Sequence, residues 1–232
     1  PLTLTGQLSD PGSRDTFEGT INWGDGSTDP LVLGAGVTGF NASHVYADDG
    51  TYTVTVDLAD DDLGRAIATT TVEVANVTPT LVDASLDPAP SDEAELVSFT
   101  AILVEPGADV VTVQIDWGDG SSDSQTLQPG ETAVLLEHTY LDDQPGDEAD
   151  SYPVAITVTD DDGDFSELEQ DHGVRNVAPS NLAVSLSEAT IDESTETTLS
   201  GTFDDPGTLD TFTVTIDWGD GTEDTVLELE AG

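Results

Sequence analysis

The sequence predicts an all-β protein built from tandem antiparallel β-sandwiches, and three observations lead to this prediction. Hydrophobic and polar residues alternate in many short segments, clusters of Gly, Asp and Pro separate these segments, and one motif, Trp-Gly-Asp-Gly, begins at Trp23, Trp117 and Trp218. Alternation with a period of two puts the hydrophobic side chains on one face of a strand. No segment has a convincing helical period.

The repeat is defined by several motifs in a fixed order. An acidic residue followed by Pro-Gly lies upstream of each tryptophan, at Asp10, Glu105 and Asp205. His-x-Tyr follows the first two tryptophans, from His44 and His138. Asn-Val-x-Pro then ends at Pro79 and Pro179. Because proline cannot donate to a β-ladder and stiffens a junction, we place the boundaries there. The predicted repeats are 1–79, which lacks its first strand, 80–179, which is complete, and 180–232, an N-terminal half.

The alternating segments predict the strands within each repeat. The inward positions are Val111, Val113, Ile115 and Trp117 in one strand, Phe212, Val214, Ile216 and Trp218 in its counterpart, and the alternate residues from Tyr52 and Tyr152 in two others. A repeat of this length with roughly seven short strands and an inward Trp predicts an immunoglobulin-like sandwich. The Gly-Asp-Gly after each Trp predicts a sharp turn, since Gly tolerates positive φ and Asp caps its own backbone. The acidic insert at 142–150 is predicted to be a loop.

The charge of the chain limits the partners that it can have. It carries 49 acidic residues against three Arg and no Lys, a formal net charge of −46. This charge argues against binding nucleic acid or an anionic membrane surface, and it favours divalent cations or basic partners, or serves solubility alone. With no Cys, the chain has no disulfide or thiolate ligand. No apolar segment has transmembrane length, so we expect no membrane insertion by this segment.

Taken together, the motifs IDWGDG, HTY and TDDDG resemble the PKD (polycystic kidney disease) domain. The W-x-F-G-D-G of that family is shortened here to WGDG, a form similar to that of many large prokaryotic surface proteins. The first repeat departs further, with INWGDG and with Leu63 before Gly64 in the later motif. The resemblance implies PKD-type sandwiches, a secreted or cell-surface location, a role as spacer, adhesion module or accessory domain, and no enzyme activity.

Acidic residues suggest Ca²⁺ sites at one end of each sandwich. The loop after the second strand and the loop before the last strand are expected at the end that faces the preceding repeat. The candidate ligands are Asn76, Glu105, Asp109, Asp160 and Asp162 for the second repeat, Asn176 and Asp205 for the third, and Asp10, Asp60 and Asp62 for the first. Oxygen ligands of this kind suit Ca²⁺, and some collagenase domains that resemble this family bind calcium near this end. The alternative, which stays open, is that Asp and Gly only form tight turns on an acidic surface.

A second acidic group is expected to approach the first junction from the preceding repeat. Asp25, Asp48 and Asp49 lie in turns at the far end of that predicted sandwich. Unneutralised, these charges would repel those of the next repeat, because the Debye length is roughly 8 Å at physiological salt. A bridging cation would therefore convert a flexible hinge into a stiff one.

Other polar residues have structural interpretations. His44 and His138 occupy the same repeat position, where His and Tyr are expected to satisfy backbone groups at a strand corner rather than bind metal. No G-x-S-x-G motif occurs, and a chance pair among 49 acidic residues is no evidence of glycoside hydrolysis. Asn41-Ala-Ser43 and Asn76-Val-Thr78 fit the N-glycosylation pattern.

The predicted function is mechanical. The chain is expected to be a spacer, stalk or fibre-forming segment of a long extracellular repeat protein, with calcium stiffening its junctions. Its expected partners are neighbouring repeats, copies of itself in a polymer, or molecules at the cell surface. The alternative is a carbohydrate- or protein-binding accessory module of a secreted hydrolase, which requires an exposed aromatic platform or a large apolar patch.

Overall fold

The fold is all-β, as the alternation predicts, and it consists of tandem immunoglobulin-like β-sandwiches. The computed structural model describes residues 1–12, 14–143 and 149–231. These residues form no helix, and hence none that could cross a membrane. Every β-sheet among them contains strands from only one of the three predicted repeats.

The second repeat contains both sheets of the sandwich. Its strands are β7 (Thr80–Asp87), β8 (Ser91–Asp92), β9 (Leu96–Val104), β10 (Val111–Asp116), β11 (Ser122–Leu127), β12 (Ala133–Thr139), β13 (Ala149–Thr159) and β14 (Phe165–Arg175). One sheet has the order β12-β9-β7 and the other β11-β10-β13-β14-β8. All pairs are antiparallel except β8 with β14, which are parallel. Of the predicted loop at 142–150, residues 144–148 lie outside the described residues, and β13 already begins at Ala149.

The core of the second repeat lies between these two sheets. It contains the inward positions predicted for β10 together with Val97 and Phe99 of β9 and Val154 and Ile156 of β13. Trp117 is fully buried in it. The alternation along β10 is complete, with every second residue buried and the others exposed.

The first repeat reproduces this arrangement from β9 onwards. Its strands are β1 (Leu2–Gln7), β2 (Phe17–Asn22), β3 (Thr28–Leu33), β4 (Gly39–His44), β5 (Gly50–Asp60) and β6 (Arg65–Val74). A β1-β4 sheet accompanies a β3-β2-β5-β6 sheet, and Trp23 is fully buried in the core that Phe17, Ile21 and Leu58 share. Among its described residues, no strand corresponds to β7.

The third repeat differs from the prediction at its tryptophan. Its strands are β15 (Ser180–Leu186), β16 (Leu199–Asp204), β17 (Phe212–Ile216) and β18 (Thr225–Leu229), paired as β15-β16 and β17-β18. Trp218 is 44% exposed rather than buried. The reason is that residues 180–231 contain no counterparts of β12 and β13, the strands that carry the aromatic residues packed near Trp117.

The WGDG turns have the predicted geometry in all three repeats. In the second repeat, Gly118 and Gly120 have φ of +84° and +94°. Asp119 Oδ1 accepts the Ser121 backbone N–H at 2.9 Å, and Asp116 Oδ1 accepts that of Gly118 at 3.0 Å. The turn therefore supplies its own hydrogen bonds, which allows β10 to reverse directly into β11.

The His-x-Tyr motif closes the same end of the sandwich. The Tyr140 hydroxyl donates to the Trp117 carbonyl at 2.9 Å, and Tyr46 does the same to Trp23. The His138 ring stacks on the Trp117 indole at a centroid distance of 4.9 Å. Its Nε2 lies 2.8 Å from Asp119 Oδ2, so the histidine holds a turn carboxylate rather than a backbone group.

Candidate metal sites at the repeat junctions

The linker between the first two repeats is held directly by the second repeat. Asn76 Nδ2 donates to Asp160 Oδ2 at 2.8 Å and to Asp164 Oδ2 at 3.3 Å. The Ser166 hydroxyl donates to the Pro79 carbonyl at 2.6 Å. Asn76 is half-buried and its amide is committed to these bonds, so it is a poor glycosylation acceptor, whereas Asn41 is exposed on β4.

Four residues predicted as ligands for the second repeat converge beside this linker. One oxygen each of Glu105, Asp109 and Asp160 lies within 4.8 Å of the others, and Asn76 touches Asp160. Glu105 Oε1 accepts the Gly107 N–H at 2.7 Å, while its buried Oε2 has no hydrogen-bond partner. Asp160 also accepts the Asp164 N–H at 2.8 Å, so it has a turn-forming role besides any role as a ligand.

The preceding repeat contributes a carboxylate to the same place. Oxygens of Asp48, Asp109 and Asp162 lie within 4.8 Å of one another, which joins the two acidic groups through Asp109. Asp49 faces Asp162 across the junction and contributes to its raised pKa. Asp25 is elsewhere, because its carboxylate binds Ser27 and His44 at 2.6 Å each. The expected approach of the first repeat is therefore made by Asp48 and Asp49.

The electrostatics of this junction are unfavourable without a cation. Burial, a hydrogen bond shared with Asp48, and the charge of Glu105 raise the pKa of Asp109 to about 7. Burial and the proximity of Asp49 raise the pKa of Asp162 as well. In both residues the carboxylate loses hydration and lies beside other carboxylates, and each effect disfavours the charged form. A bound divalent cation would reverse them.

The other predicted groups are only partly assembled. In the first repeat, Asp10 and Asp60 come together with Asp15, which the sequence interpretation omitted. Asp62 is exposed and lies outside the acidic groups of the described residues. Asp60 mainly caps the β5–β6 turn, since its Oδ1 accepts the Gly64 N–H at 2.7 Å.

The residues predicted for the third repeat differ in exposure. Asn176 is exposed. In Asp205, Oδ1 accepts the Gly207 N–H at 3.0 Å, and the buried Oδ2 has no hydrogen-bond partner. A direct backbone bond spans the junction between the second and third repeats, from the Thr208 N–H to the Leu141 carbonyl at 3.1 Å.

A further acidic group at the second junction was missed by the sequence interpretation. It consists of Glu93, Asp142, Asp143 and Asp210, with one oxygen of each within 4.8 Å of the others. Asp142 is the counterpart of Asp48, since the Tyr152 hydroxyl donates to the Asp142 carbonyl as Tyr52 donates to that of Asp48, both at 3.0 Å. The available signal was the Asp-Glu pair at 92–93, which recurs at 192–193.

Comparison with known proteins supports the family resemblance. Residues 1–75 match the family model of the PKD domain. No curated protein sequence matches the chain.

A search of solved structures returned several matches, and the three that follow have TM-scores below 0.5. A tetra-tandem repeat from the extending region of a large adhesion protein has 17% identity and a TM-score of 0.45, covering 99% of this chain and 59% of that one. The FN1–FN3 domains of chicken CNTN1 have 11% identity and a TM-score of 0.30, covering 75% of this chain and 62% of that one. A DUF3823 family protein from Bacteroides ovatus has 13% identity and a TM-score of 0.27, covering 75% of this chain and 97% of that one. The chain thus spans less than two thirds of the first two structures.

The family match and the motifs agree on the same segment. The INWGDG turn, the His44–Tyr46 corner and the β5–β6 hairpin all fall within the matched residues 1–75. The second repeat has the same strand order and the same side-chain contacts around its tryptophan. Residues 1–75 therefore match the PKD domain family, and the second repeat shares their motifs and strand order.

Proposed function

We propose that this chain is a non-enzymatic structural segment of a long extracellular repeat protein, a stalk or fibre whose repeats are stiffened by calcium at their junctions. One observation carries the proposal. Carboxylates of two successive repeats, Asp48 from the first and Asp109 and Asp162 from the second, meet within 4.8 Å across the linker.

The spacing of these oxygens suits calcium. Each Ca–O bond is about 2.4 Å long, so two ligands on opposite sides of the ion lie about 4.8 Å apart. In the first junction Asp109 would be the shared ligand, since it belongs to both acidic groups. Glu105 supplies a buried oxygen with no other partner. A bound calcium ion would attract all of these carboxylates, which otherwise repel one another.

The linker geometry supports a load-bearing role. Asn76 and Pro79 are fastened to the second repeat by side-chain hydrogen bonds, so the linker is docked on that repeat. These bonds leave the angle between the two sandwiches free to vary, and Asp48 and Asp49 are the acidic residues of the first repeat that face this hinge. A cation bound there would limit the hinge directly.

The alternative function, an accessory module that binds carbohydrate, has less support. Trp23 and Trp117 are fully buried, so neither presents its indole face to a sugar. Their hydrogen-bonding capacity is also used, because each Nε1 donates at 2.8 Å to an aspartate, Asp29 or Asp123. Both residues serve the sandwich core.

The test measures the distribution of distances between the first two repeats. Because the chain has no Cys, cysteines introduced by Thr69→Cys and Ser124→Cys, both at exposed strand positions, accept spin labels at these two sites alone. We expect calcium to narrow the distance distribution measured by electron–electron double resonance. Asp109→Asn should abolish the narrowing, and Asp62→Asn, which changes an exposed aspartate outside the acidic groups, should leave it intact.

Two results would contradict the proposal. Distributions of equal width with calcium and after chelation would exclude a stiffening role for the ion. Narrowing that survives Asp109→Asn would assign the effect to another part of the chain. Sedimentation velocity of the same samples distinguishes a monomeric stalk segment from a segment that polymerises when calcium is added.

A further inference from the structure

The second junction holds a more deeply buried acidic group than the first. Glu93 follows β8, Asp142 and Asp143 follow β12, and Asp210 precedes β17, so the group joins the second repeat to the third. Glu93, Asp142 and Asp143 are each less than one tenth exposed. Oxygens of all four residues lie within 4.8 Å of one another.

Glu93 is fixed in place yet incompletely bonded. Its side chain is 2% exposed, and its Oε1 accepts the Val177 N–H at 2.7 Å. Its Oε2 is buried without a hydrogen-bond partner. The backbone is held as well, because the Glu93 N–H donates to the Arg175 carbonyl at 3.0 Å. The free oxygen therefore has a defined position.

That free oxygen points towards the third repeat. A Cβ built on Gly207 would lie 2.6 Å from Glu93 Oε2 and 2.6 Å from Asp210 Oδ2. The two carboxylates thus converge on the same glycine from opposite repeats. The absence of a side chain at Gly207 is what leaves room for both of them.

Among the described residues, no arginine forms an ion pair with Glu93. The guanidinium of Arg175, the arginine beside Glu93, is directed to Asp92 at 3.9 Å. Burial, with the charges of Asp210 and other acids, raises the pKa of Glu93 and that of Asp142. Burying a carboxylate without a compensating partner is unfavourable. Glu93 is only 2% exposed, and its Oε2 has no hydrogen-bond partner within this acidic group, which indicates a bound ligand.

We propose that Glu93, Asp142, Asp143 and Asp210 bind one calcium ion that locks the third repeat to the second. Calcium suits the group because all ligands are oxygens and come from irregular loops, whereas Mg²⁺ demands near-ideal octahedral geometry and retains several waters. The inference extends the proposed calcium-stiffened junctions to a different junction, with Glu93 as a ligand that has no counterpart in the acidic groups of the first junction.

The chain provides a matched control for Glu93. Asp192-Glu193 repeats Asp92-Glu93, and the following residues, Ala94 and Ser194, both have positive φ. Glu193 is exposed and lies outside the acidic groups of the described residues. Glu193→Gln thus removes the same charge from the same repeat position without affecting the proposed site.

The test is calorimetric titration of the full chain with CaCl₂, together with thermal unfolding in metal-free and calcium buffers. We expect Glu93→Gln to lower the calcium stoichiometry by one. The variant should also lose the part of the calcium-induced rise in melting temperature that binding at the second junction produces. In metal-free buffer the same variant should melt higher than the unmodified chain. A buried charge is removed, while the Gln carbonyl can still accept the Val177 N–H. Glu193→Gln should match the unmodified chain in all three respects.

The outcomes separate this inference from the proposed function. If Asp109→Asn removes calcium binding and Glu93→Gln leaves the stoichiometry unchanged, the second site is refuted and the first stands. If Glu93→Gln removes one ion while Asp109→Asn removes none, the second site stands and the first is refuted. A Glu93→Gln chain that is destabilised in metal-free buffer would show that Glu93 has a structural role only. Equal binding of Mg²⁺ would overturn the assignment to calcium.

Discussion

Replacing Tyr140 by Phe removes one hydroxyl from the core of the second repeat and leaves the ring contacts in place. Tyr140 is fully buried, and its hydroxyl donates to the Trp117 carbonyl at 2.9 Å. Its ring stacks on Tyr152 and His172 at centroid distances of 4.7 and 5.1 Å, contacts that Phe can retain. The substitution therefore isolates one buried hydrogen bond between the end of β12 and the WGDG turn.

The cost follows from the burial of the group that loses its partner. An acceptor left unsatisfied in a protein interior costs about 1–3 kcal/mol, whereas an ordinary hydrogen bond that water can replace contributes about 0.5–1.5 kcal/mol. Tyr46→Phe is the matched control, because Tyr46 makes the same 2.9 Å bond to Trp23 in a half-buried position. For a domain of this size, each kcal/mol lowers the melting temperature by about 4–8 °C. At the middle of each range, about 2 kcal/mol for Tyr140→Phe and about 1 kcal/mol for the control, we expect the melting temperature of the second repeat to fall by roughly 8–16 °C, about twice the fall in the control.

The assay has to be local, because a chain of several repeats does not unfold in two states. Hydrogen exchange measured by mass spectrometry reports separately on peptides from β10 and from β2. Tyr140→Phe should accelerate exchange in β10 and leave β2 unchanged, and Tyr46→Phe should do the reverse to a smaller extent. If the two variants have equal effects, or if β10 is unaffected, burial does not set the strength of this bond.

Three further predictions concern the turns and the junctions. Gly118→Ala should destabilise the second repeat in denaturant by about 1 kcal/mol more than Gly120→Ala, because both have positive φ but only a Cβ at Gly118 would lie 2.7 Å from a carbonyl oxygen. Since burial and the neighbouring carboxylates raise the pKa of Asp109 to about 7 in the folded chain, the stability contributed by its protonated form is lost as pH rises through 7. The melting temperature of metal-free protein should therefore fall between pH 5 and pH 8, less so in Asp109→Asn, and a flat profile would contradict this. Gly207→Ala should lower the affinity of the second junction for calcium in titration without changing any charge, whereas Gly201→Ala, whose Cβ would be no closer than 3.5 Å to its neighbours, should not.

The features that sequence reasoning predicted are those set by neighbours in the chain or in the same sheet. The alternation in β10 gave its buried face, and Gly118 and Asp119 gave the turn after it. The tyrosine corner was predicted because Tyr140 follows Trp117 at the same interval as Tyr46 follows Trp23. In each case the physical requirement, a period of two or a positive φ, is visible in a few residues.

The junction sites were predicted less completely, because they depend on how one repeat sits against the next. Asn76, Glu105, Asp109 and Asp160 lie close together, since all four are at one end of a single sandwich. Glu93 was missed, because its position depends on a two-residue parallel strand that no alternation pattern reveals. Trp218 was expected inside the core, but burial of a Trp requires the opposing strands as well as its own.

The acidic-Pro-Gly triplet links the repeat pattern to the junctions. A Cβ built on its glycine would meet the carboxylate of an aspartate two or three residues further on: Gly12 meets Asp15 at 1.9 Å, Gly107 meets Asp109 at 2.5 Å and Gly207 meets Asp210 at 2.6 Å. None of these three glycines has positive φ among the described residues, so backbone conformation does not explain them. In each repeat the aspartate carboxylate occupies the space that a side chain on the glycine would take. An aspartate that only terminated a strand could turn towards water. The same local geometry in all three repeats therefore argues that the position of this carboxylate, rather than its charge alone, is what the triplet maintains.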